Sequence, residues 1–302
     1  MMRRLAAALL LLLALGSCTP TVAVMGPPVQ TPRIDGENLV MADGAVLPMT
    51  IWRPDGTPKA VILALHGFND YSLAFDDPAL DWARQGIITY AYDQRGFGHA
   101  PGFGKWAGVE TLTSDLQDAA ALIHARHPGL PFAVLGESMG AGLTMVAATR
   151  HMLPPDTGVI LVAPAVRGRE TLNVFQRAGL WFFAHTIPWL AGAPGGAPIY
   201  HPSDNIAMLR KMGRDPYVIK DTRIDTFYGL IGLMDEALDA ARTLNEPALI
   251  QIGAKDDLIP GEPNDVMLRR LPPAPPGRRT VAVYPKGYHM LLRDLDARAP
   301  VE

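Results

Sequence analysis

A five-residue Gly-x-Ser-x-Gly motif runs from Gly136 to Gly140, with Ser138 at its centre. The apolar residues 132–135 before it are typical of a buried strand, and the small residues 141–148 after it are typical of a helix. Glycines at both ends let a strand and a helix approach closely through a strained turn. The pattern predicts a nucleophile elbow, in which a sharp turn exposes a serine hydroxyl for acyl transfer. The alternative is a glycine-rich turn whose serine caps the following helix.

Apolar runs alternate with amphipathic segments along most of the chain. The run at residues 60–65 is continuously apolar, as expected of a central strand buried on both faces. Other strands are predicted at residues 47–52, 87–92, 132–135, 159–163, 248–252 and 280–284, and helices at residues 73–85 and 111–127. Strands that alternate with helices predict an α/β fold with a mostly parallel sheet and helices on both faces.

The alternation breaks between about residues 165 and 246, where helical patches and Pro-Gly segments replace it. This insertion is expected to form a helical cap over the carboxyl edge of the sheet, where open α/β sheets bind ligands. Four aromatic residues in it are candidate substrate-binding residues: Trp181, Phe182, Phe183 and Trp189. They fit a hydrophobic acyl pocket or a membrane-facing lid, or else a small core that holds the cap together.

Two further reactive side chains follow predicted strands near the carboxyl end of the chain. Asp256 and Asp257 come after one strand, and His289 comes after the next. A serine hydroxyl needs a base to take its proton, and a carboxylate fixes the tautomer of that base. The order Ser, Asp, His is the one expected of an α/β-hydrolase. We therefore predict Ser138 as nucleophile, His289 as base and Asp256 as acid, since Asp256 stands nearer the strand end than Asp257.

The loop after the strand at residues 60–65 suits one half of an oxyanion hole. The backbone N–H groups of Phe68 in this loop and of Met139 after the nucleophile are predicted to bind the developing oxyanion. His66 is interpreted as organising this loop rather than ligating a metal, because no second His or Cys stands beside it at ligand spacing. The sequence implies no metal and no organic cofactor.

The amino-terminal segment predicts export and lipid anchorage. Residues 5–15 are almost purely Leu and Ala, too short to span a bilayer but right for the core of a signal peptide. The following Gly-Ser-Cys, ending at Cys18, resembles a bacterial lipobox, in which residues 1–17 are removed and the cysteine is lipidated. An ordinary secretory signal is the alternative. Cys18 is the only cysteine of the chain, and lipidation explains a lone thiol in an exported protein.

These patterns divide the chain into three predicted segments. Residues 1–17 form the predicted signal peptide, residues 18–33 the lipidated cysteine and a Pro-rich extended tether, and residues 34–302 one α/β-hydrolase domain with its cap. The residue after Cys18 is Thr19 rather than an aspartate. By resemblance to bacterial lipoproteins, this favours the outer membrane over retention at the inner membrane. The expected location is the bacterial cell envelope, lipid-anchored and facing the periplasm. The net charge of −3 gives no basic footprint, which excludes nucleic acid as a partner.

Taken in order, the motifs resemble the monoacylglycerol lipase and lysophospholipase branch of the α/β-hydrolases, also described as serine aminopeptidase-like. The resemblance covers about residues 47–294 and is carried by His66-Gly67-Phe68, Tyr92-Asp93-Gln94-Arg95-Gly96-Phe97-Gly98, the motif at residues 136–140, Gly253-x-x-Asp256 and His289. Phe97 departs from the histidine that members often carry. The resemblance implies the same triad and oxyanion amides, and hydrolysis of monoacylglycerols or lysophospholipids through an acyl-enzyme.

Other functions use the same residues. A short-chain esterase or an aminopeptidase would share the triad and take a small ester or amide substrate, and a haloperoxidase-like perhydrolase would share it as well. A non-catalytic lipid-binding envelope lipoprotein could also be built on a hydrolase scaffold, although a complete triad argues against it. The sequence leaves the oligomeric state open.

Overall fold

The computed structural model describes residues 19–192 and 200–301. Cys18 and the predicted signal peptide, residues 1–17, lie outside the described residues. The strands are β1 (Arg33–Asp35), β2 (Asn38–Val40), β3 (Val46–Trp52), β4 (Ala60–Leu65), β5 (Ile87–Tyr92), β6 (Phe132–Glu137), β7 (Gly158–Val162), β8 (Ala248–Gly253) and β9 (Arg279–Tyr284). The helices are α1 (Asp76–Arg84), α2 (Val109–Arg126), α3 (Met139–Thr149), α4 (Val174–Thr186), α5 (Ile206–Arg214), α6 (Ile224–Ala240), α7 (Gly261–Arg270) and α8 (Arg298–Val301).

The strands form one sheet in the order β1-β2-β3-β5-β4-β6-β7-β8-β9. The pairs from β5 across β4, β6, β7 and β8 to β9 are parallel, and the pairs involving β1, β2 and β3 are antiparallel. Separate apolar cores lie on the two faces of the sheet, one including Leu116 of α2 and the other Trp82 of α1. This confirms the predicted α/β-hydrolase fold with a mostly parallel sheet and flanking helices.

The central strands follow their composition. In β4, residues 61–65 are all buried, because helices cover both faces of the sheet at this position. The helix predicted at residues 73–85 begins as a short 3-10 turn, Ser72–Phe75, before α1 starts at Asp76. Between β7 and β8, where the cap was expected, the chain forms α4, α5 and α6. Within the described ranges, no helix is both long and apolar enough to cross a membrane.

The Pro-rich segment before β1 lies along the folded body. Residues 19–29 have no regular secondary structure, but the amide of Ala23 donates to the carbonyl of Trp106 at 2.8 Å. The amide of Val29 likewise donates to the carbonyl of Ala42 at 2.7 Å. Backbone groups of this segment thus find partners on the domain, which differs from the expectation that it is an unpacked tether.

The loop after β5 is held in place by a buried arginine, Arg95. Arg95 donates to Asp43 at 2.6 Å and to Asp115 at 2.6 Å, and all three side chains are buried. The hydrogen bond from Arg95 holds the pKa of Asp43 well below its usual range. A buried guanidinium that satisfies two carboxylates fixes this loop, and through it the neighbouring Phe97, against the sheet.

Candidate active site

Ser138 occupies the sharp turn between β6 and α3. Its φ of 52° and ψ of −111° lie outside the regions that serine ordinarily adopts. The amide of Ser138 donates to the carbonyl of Val162 at 2.9 Å, and its carbonyl accepts from the amides of Gly142 and Ala165. Backbone strain of this kind persists only where surrounding contacts fix it, and it concentrates at functional sites. The turn has the geometry of a nucleophile elbow.

The two glycines of the motif allow this turn to pack. A Cβ placed on Gly136 would overlap the backbone of Gly140, and a Cβ on Gly140 would overlap the carbonyl of Leu65 in β4. Both obstacles are backbone atoms, so neither could be relieved by a side-chain rotation. The spacing between β4, β6 and the start of α3 therefore depends on hydrogen at these positions.

Replacing Gly140 with alanine is expected to lower the free energy of unfolding by about 1–3 kcal/mol, because the added methyl group overpacks a tight backbone contact. It should also reduce kcat, since relief of the overlap moves the amide of Met139. Urea unfolding and ester hydrolysis would measure both effects. The matched control is Gly213→Ala in exposed α5, where a Cβ meets nothing, so stability is expected to stay equal or rise slightly. Equal behaviour of the two variants would contradict the packing argument.

Three residues distant in sequence meet above the carboxyl edge of the sheet. His289 places Nε2 at 2.9 Å from the hydroxyl of Ser138 and Nδ1 at 2.7 Å from Asp256. All three residues are buried, with 5–9% of their surface exposed. The carboxylate accepts the Nδ1 proton, which leaves Nε2 free to take the proton of the serine hydroxyl. The arrangement can therefore activate Ser138 as a nucleophile.

The structure distinguishes the two adjacent aspartates after β8. Asp256 contacts His289 through one oxygen and accepts the amides of Leu258 and Ile259, each at 2.9 Å, through the other. Asp257 points away and accepts the amide of His201 at 2.9 Å on the surface. Asp256 is thus held by its own loop, whereas no hydrogen bond joins Asp257 to the imidazole of His289 among the described residues.

The charge of the imidazole depends on its surroundings. Burial alone favours the neutral ring, but the nearby carboxylates of Asp256 and Glu137 outweigh it and raise the pKa of His289 above its ordinary value of 6.5. The base must be neutral to accept a proton. We therefore expect kcat/KM to fall about tenfold per pH unit below a midpoint that lies above the ordinary imidazole value.

The variant Glu137→Gln tests the cause of this shift, because it removes one negative charge and keeps the shape. Its midpoint should move to lower pH than that of the wild-type protein, as measured from kcat/KM between about pH 5 and pH 9. A wild-type midpoint at or below the ordinary imidazole value would contradict the assignment of the charges.

The two predicted oxyanion amides border the nucleophile. Gly67 packs against Ser138, so close that a Cβ on it would stand 3.4 Å from that of the serine, and Phe68 follows it in the loop. Met139 is the first residue of α3. In the part of the chain that the structure describes, neither the Phe68 amide nor the Met139 amide has a hydrogen-bond partner. Two unused donors beside a nucleophile can stabilise an oxyanion.

His66 organises the oxyanion loop. Its Nε2 accepts the amide of Gln94 at 3.0 Å, and therefore Nδ1 carries the proton and donates to the carbonyl of Gly67 at 2.8 Å. Burial lowers the pKa of His66 and keeps the ring neutral. Phe97, the departure from the resembled family, packs edge-on against both His66 and Phe68 at 5.6 Å between ring centroids. Phe97 therefore supports this loop through packing alone.

A cavity of about 410 Å³ opens onto Ser138 and His289. Helices α4 and α6 supply most of its apolar wall, through Leu172 just before α4 and the residues Leu180, Phe227, Leu230, Ile231 and Met234. Apolar side chains on the cap side and a reactive serine at the base suit a substrate with a hydrocarbon part.

The aromatic residues predicted to bind substrate do not line this cavity. Trp181 and Trp189 are each 57% exposed, and Phe182 and Phe183 are each 49% exposed. At this exposure the four do not form a buried core of the cap. Their role in binding substrate, through an acyl pocket or a membrane-facing lid, stays a prediction. The inward face of α4 is instead the row of Gln176, Leu180 and Ala184, spaced at one helical turn.

Three charged residues at the base of the cavity were not predicted. Arg293 donates to Asp70 at 2.7 Å and to Glu137 at 3.1 Å, and all three are buried. Burial raises the pKa of Glu137, against the effect of Arg293. The three positions belong to the oxyanion loop, the strand before Ser138 and the segment after His289. The sequence signal that could have pointed to this cluster is Glu137, an acidic residue at the end of an apolar strand and next to the nucleophile.

The sheet and the Ser-His-Asp geometry together define a serine hydrolase of the α/β-hydrolase class. The family described as "Serine aminopeptidase, S33" matches residues 56–296, and this chain belongs to that family. Within it, the chain is a serine ester hydrolase.

Similar proteins cover nearly the whole fold. A monoglyceride lipase of Mus musculus is 30% identical over 276 residues, which cover 89% of this chain and 88% of that protein. A monoacylglycerol lipase of Mycolicibacterium smegmatis is 26% identical over 259 residues, covering 81% and 86%. The crystal structure of a monoacylglycerol lipase from Paleococcus ferrophilus has a TM-score of 0.66 at 22% identity, covering 84% of this chain and 96% of that one.

Proposed function

We propose that this protein hydrolyses the carboxylic ester of a lipid with a single acyl chain, a monoacylglycerol or a lysophospholipid. The observation that carries the proposal is the cavity, because its apolar wall from α4 and α6 leads directly to Ser138 and His289. The monoacylglycerol lipases among the similar proteins act as further support.

The reaction begins when His289 takes the proton of the Ser138 hydroxyl and the serine oxygen bonds to the ester carbonyl carbon. Negative charge moves to the carbonyl oxygen, where the amides of Phe68 and Met139 bind it. The carbon–oxygen bond to the alcohol then breaks, and the alcohol leaves with the proton held by His289. Asp256 stabilises the imidazolium in between without itself being protonated.

The acyl-enzyme is then hydrolysed with the help of the same residues. A water molecule gives a proton to His289 as its oxygen bonds to the acyl carbon. The bond from that carbon to the Ser138 oxygen breaks, and the serine takes the proton back from His289. The products are a fatty acid and the original alcohol, and the triad returns to its starting state.

A series of substrates tests this function. We expect kcat/KM for glycerol monoesters to rise from butyryl to longer acyl chains, because each buried methylene adds about 0.8 kcal/mol of binding at most. Lysophosphatidylcholine and an aminoacyl p-nitroanilide serve as comparison substrates, and the Ser138→Ala protein gives the background. An optimum at acetyl esters, or a preference for the anilide, would replace the proposed function by that of a small-ester hydrolase or an aminopeptidase.

We also propose that lipidated Cys18 anchors the protein to the envelope of a bacterium, on the periplasmic face and preferably at the outer membrane. The support is the sequence of residues 1–18, in which an apolar core at residues 5–15 is followed by Gly16, Ser17 and the single cysteine. Several acyl chains on one residue give lasting attachment. Expression of the full chain with an alkyne-labelled fatty acid should label the wild-type protein in the membrane fraction and not the Cys18→Ser variant. An unlabelled wild-type protein in the soluble fraction would contradict the anchor.

A further inference from the structure

Arg167 lines the cavity, and no acidic side chain of the described residues is bonded to it. It lies in the loop between β7 and α4, and its side chain is half-buried. One guanidinium N–H donates to the carbonyl of Leu258 at 3.2 Å, and no other partner exists among residues 19–192 and 200–301. A guanidinium has five N–H donors and stays charged in proteins. Most of the N–H donors of Arg167 are therefore not used by the described residues.

The carboxylates around the cavity already have partners among the described residues. Arg293, the second arginine of the lining, donates to Asp70 and Glu137. The acid Asp256 is occupied by His289 and two backbone amides. Residues 193–199, which the structure does not describe, contain no acidic side chain. Arg167 is thus a positive charge that no described carboxylate neutralises.

Its position places this charge next to the reactive centre. Leu258, which accepts the hydrogen bond from Arg167, also donates its amide to Asp256 and lines the cavity. On the other side, the wall continues to Leu172 and Leu180 at α4. A substrate seated at Ser138 with an anionic group on it can therefore meet Arg167 within the same cavity.

We propose that Arg167 forms a subsite for an anionic group of the substrate, a phosphate or a carboxylate. The planar guanidinium matches either group through paired hydrogen bonds. The inference rests on the proposed ester hydrolysis and narrows it to esters that carry a negative charge. The charge belongs to the alcohol in a lysophosphatidic acid and to the far end of the acyl chain in a half-ester of a dicarboxylic acid.

The first test measures the ratio of kcat/KM for an anionic ester to that for a matched neutral ester, on the full-length protein. Monodecanoylglycerol is the neutral ester. Decanoyl lysophosphatidic acid and the glycerol half-ester of decanedioic acid are the anionic ones. Arg167→Gln should lower the ratio by about 10- to 100-fold for the ester whose anion reaches the subsite. Arg167→Lys should retain most of it, and Arg177→Gln, an exposed residue of α4 that does not line the cavity, should leave it unchanged.

The ester that responds identifies which part of the substrate carries the anion. Ratios that are equal in the wild-type protein and in Arg167→Gln for both anionic esters would overturn the proposal. A fall in the ratio in Arg177→Gln as large as in Arg167→Gln would also overturn the proposal. The positive charge of the surface as a whole would then explain the preference for anionic esters.

A binding measurement separates this subsite from the proposed function. In the Ser138→Ala background, calorimetry compares decyl phosphate with a decyl glycerol ether, neither of which can be hydrolysed as a carboxylic ester. The preference for decyl phosphate should fall about 10- to 100-fold when Arg167→Gln is added. If the wild-type protein cleaves no ester but this preference is present and lost with Arg167, the hydrolase proposal fails and the subsite stands. If esters are cleaved and the preference is absent, the subsite fails alone.

Discussion

Replacing Ser138 with alanine is expected to lower kcat for ester hydrolysis by about 10⁴- to 10⁶-fold. The loss is this large because the acyl group has no other place to bond. His289 stands at 2.9 Å from the serine hydroxyl, and among the described residues its Nε2 is hydrogen-bonded to no other side-chain hydroxyl. The oxyanion amides and the cavity remain, so a small residual rate over water is expected. Initial rates with a p-nitrophenyl ester measure the effect, at enzyme concentrations high enough to detect the residual rate.

The substitution should leave the fold intact. The Ser138 hydroxyl bonds only to His289 among the described residues, and alanine keeps the Cβ that packs against Gly67. We expect the free energy of unfolding to change by less than about 1 kcal/mol. Ser114→Ala, on α2 and remote from the cavity, is the matched control and should retain full activity. Wild-type rates in the Ser138→Ala protein would rule out the acyl-enzyme mechanism.

Replacing Arg293 with methionine is expected to lower the free energy of unfolding by about 3–5 kcal/mol. Arg293 is 9% exposed and is the partner of both Asp70 and Glu137, which are 4% and 2% exposed. Its loss leaves two carboxylates buried without a counter-charge. The three loops that carry the oxyanion amide, the nucleophile and the base would lose their shared contact, so kcat should fall as well. Urea unfolding measures the stability.

A pH profile separates this electrostatic role from a simple loss of packing. Arg293 lowers the pKa of His289, and Glu137 raises it. Without Arg293, the acidic limb of the kcat/KM profile should therefore move to higher pH. In Arg293→Lys, which keeps the positive charge, the limb should lie close to its wild-type position. Arg84→Met removes an exposed ion pair with Asp81 and should change stability by less than about 0.5 kcal/mol. An unshifted limb in Arg293→Met would contradict the electrostatic account.

The central sheet could be predicted because its strands are strongly apolar. The runs that became β4 and β6 are buried on both faces, and this leaves a continuous hydrophobic signal. The edge strands β1 and β2 were missed, because three-residue segments such as Arg33–Asp35 are too short to show alternation. Their pairing is set by contacts with β3, which a local pattern does not contain.

The triad could be located because each of its members follows a strand, and the carboxyl ends of parallel strands meet at one edge. The face of α4 that lines the cavity could not be predicted from the sequence, because Trp181, Phe182 and Phe183 make both sides of the helix apolar. The Arg293 cluster was also hidden. Its partners lie 223 and 156 residues away in sequence, so only the fold brings them together.

The most direct measurement for the central claim is mass spectrometry of the protein after reaction with a fluorophosphonate, which bonds to activated serines. The account predicts one adduct per chain, on the peptide that contains Ser138, with labelling lost in Ser138→Ala and slowed at low pH as His289 becomes protonated. A folded wild-type protein that stays unlabelled, or an adduct on a different residue, would contradict the claim that Ser138, His289 and Asp256 form a working triad.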